Sequence, residues 1–186
     1  MLTSEFDYDL PTELIAQEAA PRGESRLLYL GSDGIRQHLH ISDLPRLLAA
    51  GDLLVVNNTK VMPARLHAWR EATGGQVELL LVERLSETEW TALLKPGRRV
   101  RRGTRLLLAD GLGLAVREKF DDGRYRIQFS EPIEPHLESL GHVPLPPYIK
   151  RDDQPEDRAR YQTVFARFLG AIAAPTAGLH FNAELL

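Results

Sequence analysis

Val77-Glu78-Leu79-Leu80-Leu81-Val82 opens the part of the chain whose reading decides the fold. Helical periodicity is absent from about His67 onward, and this run is the first of several short strands separated by turns. Further strands are predicted over residues 89–94, 104–108, 112–116 and 124–129. The turns are Gly74-Gly75, Lys95-Pro96-Gly97, Asp110-Gly111 and Asp121-Asp122-Gly123. Short strands at this close spacing predict a small barrel or a sandwich. A helix over residues 135–140, stopped by Gly141, ends the β-rich stretch. Val143-Pro144-Leu145-Pro146-Pro147-Tyr148-Ile149 then reads as a rigid linker.

On either side the pattern is mixed. Before the strands, residues 10–17 open as a short helix that Thr12 can cap. Pro21-Arg22-Gly23-Glu24-Ser25-Arg26 is a polar loop, and strands are expected at residues 27–30 and 35–40 around the turn Gly31-Ser32-Asp33-Gly34. An amphipathic helix is expected over residues 42–48. Asp52-Leu53-Leu54-Val55-Val56 is the strongest single strand signal, a continuous apolar run with a β-branched end. After the linker, helical periodicity returns over residues 156–165. The expected fold is therefore a mixed α/β domain, residues 1–66 and 149–186, with a small antiparallel β-barrel domain, residues 67–148, inserted into it. The opening strands alone cannot complete a core.

Composition narrows the class. Apolar residues make up 43% and charged residues 26%, the proportions of an ordinary globular protein. No segment approaches the ~20 apolar residues that span a bilayer, and the N-terminus has neither a basic nor an apolar signal region. The absence of cysteine excludes disulfides, thiolate metal sites and cysteine nucleophiles, and a cytoplasmic location fits. The net charge of −3 is unevenly spread. Lys95, Arg98, Arg99, Arg101, Arg102 and Arg105 stand together without an acid, and taking those six from 23 leaves 17 basic residues against 26 acidic. A basic patch on an acidic body can attract phosphates, and a solvated turn is the alternative.

Three stretches offer chemistry. Arginine forks at Arg22 and Arg26 suit carboxylate or phosphate oxygens; surface salt bridges are the bland alternative. Asn57, Asn58 and Thr59 follow the strong strand signal, where amides can hold a base edge or a ribose hydroxyl, unless they form an Asx turn on their own backbone. Ala173-Ala174-Pro175-Thr176-Ala177-Gly178-Leu179-His180-Phe181 is small, nearly uncharged and carries one imidazole. It forms a tight connection before a helix that Asn182 can cap. His38 and His40 share one strand face, but no third metal ligand stands near them.

Four motifs together bring a resemblance. Asn57-Asn58-Thr59-Lys60-Val61-Met62-Pro63-Ala64-Arg65, Gly141-His142-Val143-Pro144-Leu145-Pro146-Pro147-Tyr148-Ile149, Arg160-Tyr161-Gln162-Thr163-Val164-Phe165 and the Ala173–Phe181 stretch occur in an order and spacing that resembles the S-adenosylmethionine:tRNA ribosyltransferase-isomerases of queuosine biosynthesis. Phe6-Asp7-Tyr8-Asp9-Leu10-Pro11 and Pro21–Arg26 also look like that family. The resemblance implies an α/β domain with an inserted barrel. It implies transfer and isomerisation of the ribosyl part of S-adenosylmethionine onto 7-aminomethyl-7-deazaguanine at a tRNA wobble position, without a metal and by a monomer. It implies His180 as the acid or base, since histidine serves both near neutral pH. Substrate would be held by Arg22, Arg26, Asn57, Asn58, Thr59, Arg65, Tyr161, Gln162, Thr163, Thr176 and Gly178. Lys95, Arg98, Arg99, Arg101 and Arg102 would meet tRNA phosphates. The family usually has Asn-Asp-Thr where this chain has Asn57-Asn58-Thr59. Its members continue past Leu186, so the resemblance implies a missing C-terminal part and no activity from these 186 residues alone. Two other readings stay open: a non-catalytic RNA-binding module, and a different nucleotide-ligand enzyme using the same loop.

Overall fold

A strand whose every second residue is apolar must bury one face, and six such strands here bury them against each other. The computed structural model describes residues 1–186. Its strands are β1 (Arg26–Leu30), β2 (Arg36–His40), β3 (Thr59–Val61), β4 (Arg65–Arg70), β5 (Gln76–Arg84), β6 (Glu89–Lys95), β7 (Arg105–Leu108), β8 (Gly113–Lys119), β9 (Tyr125–Phe129) and β10 (Phe168–Ala171). Two short helices, α1 (Leu137–Leu140) and α2 (Pro155–Arg160), stand between β9 and β10. Strands β4 to β9 close into a barrel in the order β4-β5-β6-β9-β8-β7, all antiparallel. Leu66 and Ala68, Val77, Leu79 and Leu81, Leu106, and Tyr125, Ile127 and Phe129 point inward in period-two alternation. They belong to one cluster of 21 buried residues. Closure removes the free edges that an open sheet would expose.

The fold is thus an α/β arrangement carrying a closed antiparallel barrel, as expected. β4 was not foreseen as a strand. It begins at Arg65, and its inward positions include only Leu66 and the small Ala68, so its apolar signal is weak.

The flanks are more sparsely built. β1 and β2 form a hairpin with Leu28 opposite His38. β3 and β10 form a two-stranded parallel sheet. The expected strand at residues 52–56 does not form. No other segment lies beside it to accept its backbone bonds, and Leu53 and Val55 are 87% and 83% exposed. The helix expected over residues 10–17 is one 3₁₀ turn, Thr12–Leu14. The one expected over 42–48 is a 3₁₀ helix, Ile41–Arg46, because Pro45 supplies no N–H to an α-helical ladder. α2 stops at Arg160, five residues short of the expectation. After Asn182 there is a turn, although the Leu185 N–H does donate to Asn182 Oδ1 at 2.8 Å, as a cap would require.

Gly141 closes α1 and brings it against the β3–β4 connection. A Cβ there would collide with the Pro63 and Leu137 carbonyls, so only glycine permits the approach. No helix is long and apolar enough to cross a membrane.

Candidate active site

Segments from both ends of the chain meet around a cleft of about 370 Å³. Its walls come from residues 16–25, from 145–161 and from Thr176, Leu179 and His180. Arg22 is the main clasp. Its Nη2 donates to the Gln162 carbonyl at 2.5 Å and the Ala159 carbonyl at 3.2 Å, capping the C-terminal end of α2. Its Nη1 reaches the Phe181 carbonyl at 3.5 Å. Burial, and the positive Arg160 beside it, lower the Arg22 pKa, yet a guanidinium remains charged. The Gly23 N–H donates to the His180 carbonyl at 3.0 Å, joining the two loops directly. Gly23 sits at φ +88°, and a Cβ there would press on the Asn182 amide at 3.1 Å.

The opposite wall is also held by polar bonds. Arg151 makes a two-pronged contact with Asp157, Nη1 to Oδ2 at 2.6 Å and Nη2 to Oδ1 at 2.9 Å. That contact lowers the Asp157 pKa, helped by the Gln154 N–H. Gln17 donates to the Tyr148 carbonyl and accepts from the Lys150 N–H, fixing the linker over the cleft. Tyr161 divides this cleft from a second hollow of about 460 Å³ beside Lys60, Val61 and Leu169. Burial, then the neighbouring Tyr148, push the Tyr161 pKa up against a smaller opposing effect of Arg65, so its phenol is a donor at neutral pH.

His180 ends a 3₁₀ helix, Thr176–His180, and lines the cleft. Its Nδ1 lies 3.0 Å from Ser25 Oγ. Gly178 lets this helix pack closely, since a Cβ would meet Thr163 Cγ2 at 2.8 Å and the Phe165 ring at 3.2 Å. Thr163 is buried and its hydroxyl has no hydrogen-bond partner.

Of the sequence-predicted residues, the cleft gathers Arg22, Tyr161, Thr176 and His180. Arg65 touches its rim by donating to the Leu145 carbonyl at 2.9 Å. Gln162 faces away and stands in as a strand partner for Val61, accepting from its N–H at 2.9 Å and donating to its carbonyl at 2.8 Å. Asn57 Oδ1 accepts from the Thr59 N–H at 2.9 Å, the Asx turn that was the alternative reading. Neither Asn57, Asn58, Thr59 nor the exposed Arg26 lines the cleft. Sequence reasoning assigned no role to Ser25, Gln17, Tyr148, Arg151 and Asp157. For Ser25 the signal was its place between two arginines in one loop.

The basic cluster lies on the barrel, away from the cleft, from the end of β6 through the loop to the start of β7. The loop is pinned from below. Tyr125 OH donates to the Gly97 carbonyl at 2.9 Å, Val100 is buried, and the Gly103 N–H donates to the Val116 carbonyl at 2.8 Å. Lys95, Arg98, Arg99, Arg101 and Arg102 are left exposed, and none of them is in an ion pair. Arg105 and Arg117, also unpaired, extend the positive surface onto β7 and β8.

A family model described as "Queuosine biosynthesis protein" matches residues 3–186. The S-adenosylmethionine:tRNA ribosyltransferase-isomerase of Symbiobacterium thermophilum is 50% identical over 191 residues, which cover 100% of this chain and 55% of that protein. Its counterpart in Aquifex aeolicus is 45% identical over 190 residues, with 100% and 56% covered. A crystal structure of S-adenosylmethionine tRNA ribosyltransferase from Thermotoga maritima aligns over 98% of this chain and 52% of its own, at 33% identity and a TM-score of 0.39. The chain spans about half the length of the curated relatives it matches. Matched along nearly all its residues, it belongs to the queuosine biosynthesis protein family.

Proposed function

We propose that this chain carries the substrate-binding part of an enzyme that moves the ribosyl group of S-adenosylmethionine onto 7-aminomethyl-7-deazaguanine at the tRNA wobble position. The ribosyl group is isomerised on the way, giving epoxyqueuosine, and adenine and methionine leave. The observation that carries this reading is the cleft. It brings a cationic arginine, a half-buried phenol and an imidazole together from segments far apart in the chain, within a sequence that belongs to the family.

The chemistry needs a proton taken from the carbon beside the sulfonium and a proton given to adenine as it departs. His180 Nε2 makes no hydrogen bond within the chain and is the group for both transfers. The Tyr161 ring offers a stacking face for a base, and its hydroxyl a donor. Arg22 and Arg65 have donors committed to carbonyls, so they contribute positive charge for the methionine carboxylate more than new bonds. Arg26, Asn57, Asn58 and Thr59 lie outside the cleft and have no role within it. In this reading residues 1–66 and 149–186 form the chemical body, and residues 67–148 hold the tRNA backbone through the loop of arginines. The protein works in the cytoplasm as a monomer and without a metal ion.

The exposed, unpaired arginines favour a second reading, an RNA-binding module without catalysis. One assay separates the two. The natural polypeptide is incubated with S-adenosylmethionine and tRNA bearing the 7-deazaguanine base, and free adenine and the nucleoside mass are measured. The enzyme reading expects tRNA-dependent adenine release with a matching gain in nucleoside mass. Bound tRNA with no adenine released would leave the module reading instead.

A further inference from the structure

We propose that Ser25 is the positioning residue of His180, holding its proton on Nδ1 so that the Nε2 lone pair is presented to the cleft. This assignment rests on the function proposed above. It starts from a contact that neither the motifs nor the relatives' names account for: Ser25 Oγ lies 3.0 Å from His180 Nδ1, both residues are half-buried, and both line the cleft. Oγ has no other hydrogen-bond partner, so it is available to accept from Nδ1–H.

The pair is built in advance. Ser25 sits at the root of the β1–β2 hairpin, where its carbonyl accepts from the Ile41 N–H at 2.9 Å. The loop before it is bonded to the loop carrying His180 by the Gly23 N–H, by Arg22 and by the Asn182 amide donating to the Arg22 carbonyl at 3.5 Å. Neither partner can drift without breaking main-chain bonds, and a histidine's working nitrogen is set by what its other nitrogen bonds to.

The chemical type of the partner matters as much as its position. His142 Nδ1 lies 2.8 Å from an Asp153 oxygen, and His136 stands between Asp110 at 2.6 Å and Glu131 at 3.1 Å. A carboxylate partner favours the charged ring and keeps its proton there. Ser25 is neutral. It fixes the tautomer without holding an imidazolium, so a proton received on Nε2 can be passed on. The proton of the carbon beside the sulfonium moves to Nε2, leaving its electron pair on carbon. The same proton then leaves Nε2 for an adenine ring nitrogen as the bond from the sugar to adenine breaks, its electron pair going to adenine. The pair left on carbon becomes a double bond to the adjacent ring carbon, the bond from that ring carbon to the ring oxygen breaks, and that oxygen closes a carbonyl on the carbon adenine has left. Nδ1–H donates to Ser25 Oγ throughout.

The test uses the natural polypeptide with Ser25→Ala and Ser25→Thr, read by ¹⁵N NMR of the His180 ring at alkaline pH and by single-turnover adenine release. The wild type and Ser25→Thr are expected to keep the proton on Nδ1. Ser25→Ala is expected to move it to Nε2 and to slow adenine release by about 10-fold or more. An unchanged tautomer in Ser25→Ala overturns the proposal. So does a shifted tautomer with an unchanged release rate. If no variant, wild type included, releases adenine, the reaction reading fails, while the tautomer measurement still decides whether Ser25 positions the ring.

Discussion

The barrel and its flanks are held together by different forces. The barrel closes on itself, and its 21-residue cluster is removed from water by strands that alternate almost without interruption. The flanks have no buried residue before Val61, and neither of their sheets has more than two strands. Arginines fix them instead. Arg22 binds the end of α2, Arg151 grips Asp157, Arg158 donates to the Glu138 and Gly141 carbonyls at 2.7 Å each, and Arg160 reaches the Ala20 carbonyl. Apolar burial tolerates pH and salt, whereas polar clamps respond to both. The cleft therefore sits in the more adjustable region, as functional loops commonly do.

The largest effect that would sharpen this contrast is a core truncation. Ile127→Ala, at a fully buried barrel position, should destabilise the protein by about 2–5 kcal/mol in urea unfolding. Leu53→Ala, in the exposed flank, should stay within about 0.5 kcal/mol. Similar losses at both positions would mean that the flank is as tightly packed as the barrel. A smaller effect is expected on the barrel surface. Replacing Arg98, Arg99, Arg101 and Arg102 together with glutamine should flatten the salt dependence of tRNA binding by roughly one log–log unit per lost phosphate contact. An unaltered slope would reduce the loop to a solvated turn.

The smallest expected effect is a pH dependence confined to the flanks. Arg151 holds the Asp157 pKa below its ordinary carboxylate value, so the unfolded chain binds the proton more readily than the folded one. The stability from this pair is complete above the ordinary carboxylate range. It is lost as pH falls through that range towards the lower folded value. Hydrogen exchange should show residues 145–161 losing protection on acidification before the barrel strands do, and Arg151→Gln should remove the difference. Simultaneous loss in both regions would contradict it.

The same contrast explains what the sequence could reveal. The barrel was legible because strand alternation and Gly- or Asp-rich turns are local signals, and five of its six strands were found from them. β4 escaped because Ala68 takes an inward position with little apolar weight. The apolar run at residues 52–56 misled, because strand formation needs a neighbour that no local pattern reports. In the site, His180 was legible as the imidazole of an unusual motif. Its pairing with Ser25, 155 residues away, exists only through the folded contact. The Asn57 side chain turned to its own backbone, which residue type alone could not distinguish from ligand binding.

The most direct test of the proposed division into a chemical cleft and a tRNA-holding barrel is single-turnover adenine release by His180→Asn in the natural polypeptide, with tRNA affinity measured alongside. The account expects the rate to fall about 10²–10⁴-fold, with tRNA affinity and barrel hydrogen exchange unchanged. A variant that keeps most of its rate would make His180 a structural residue and contradict the assignment of the cleft.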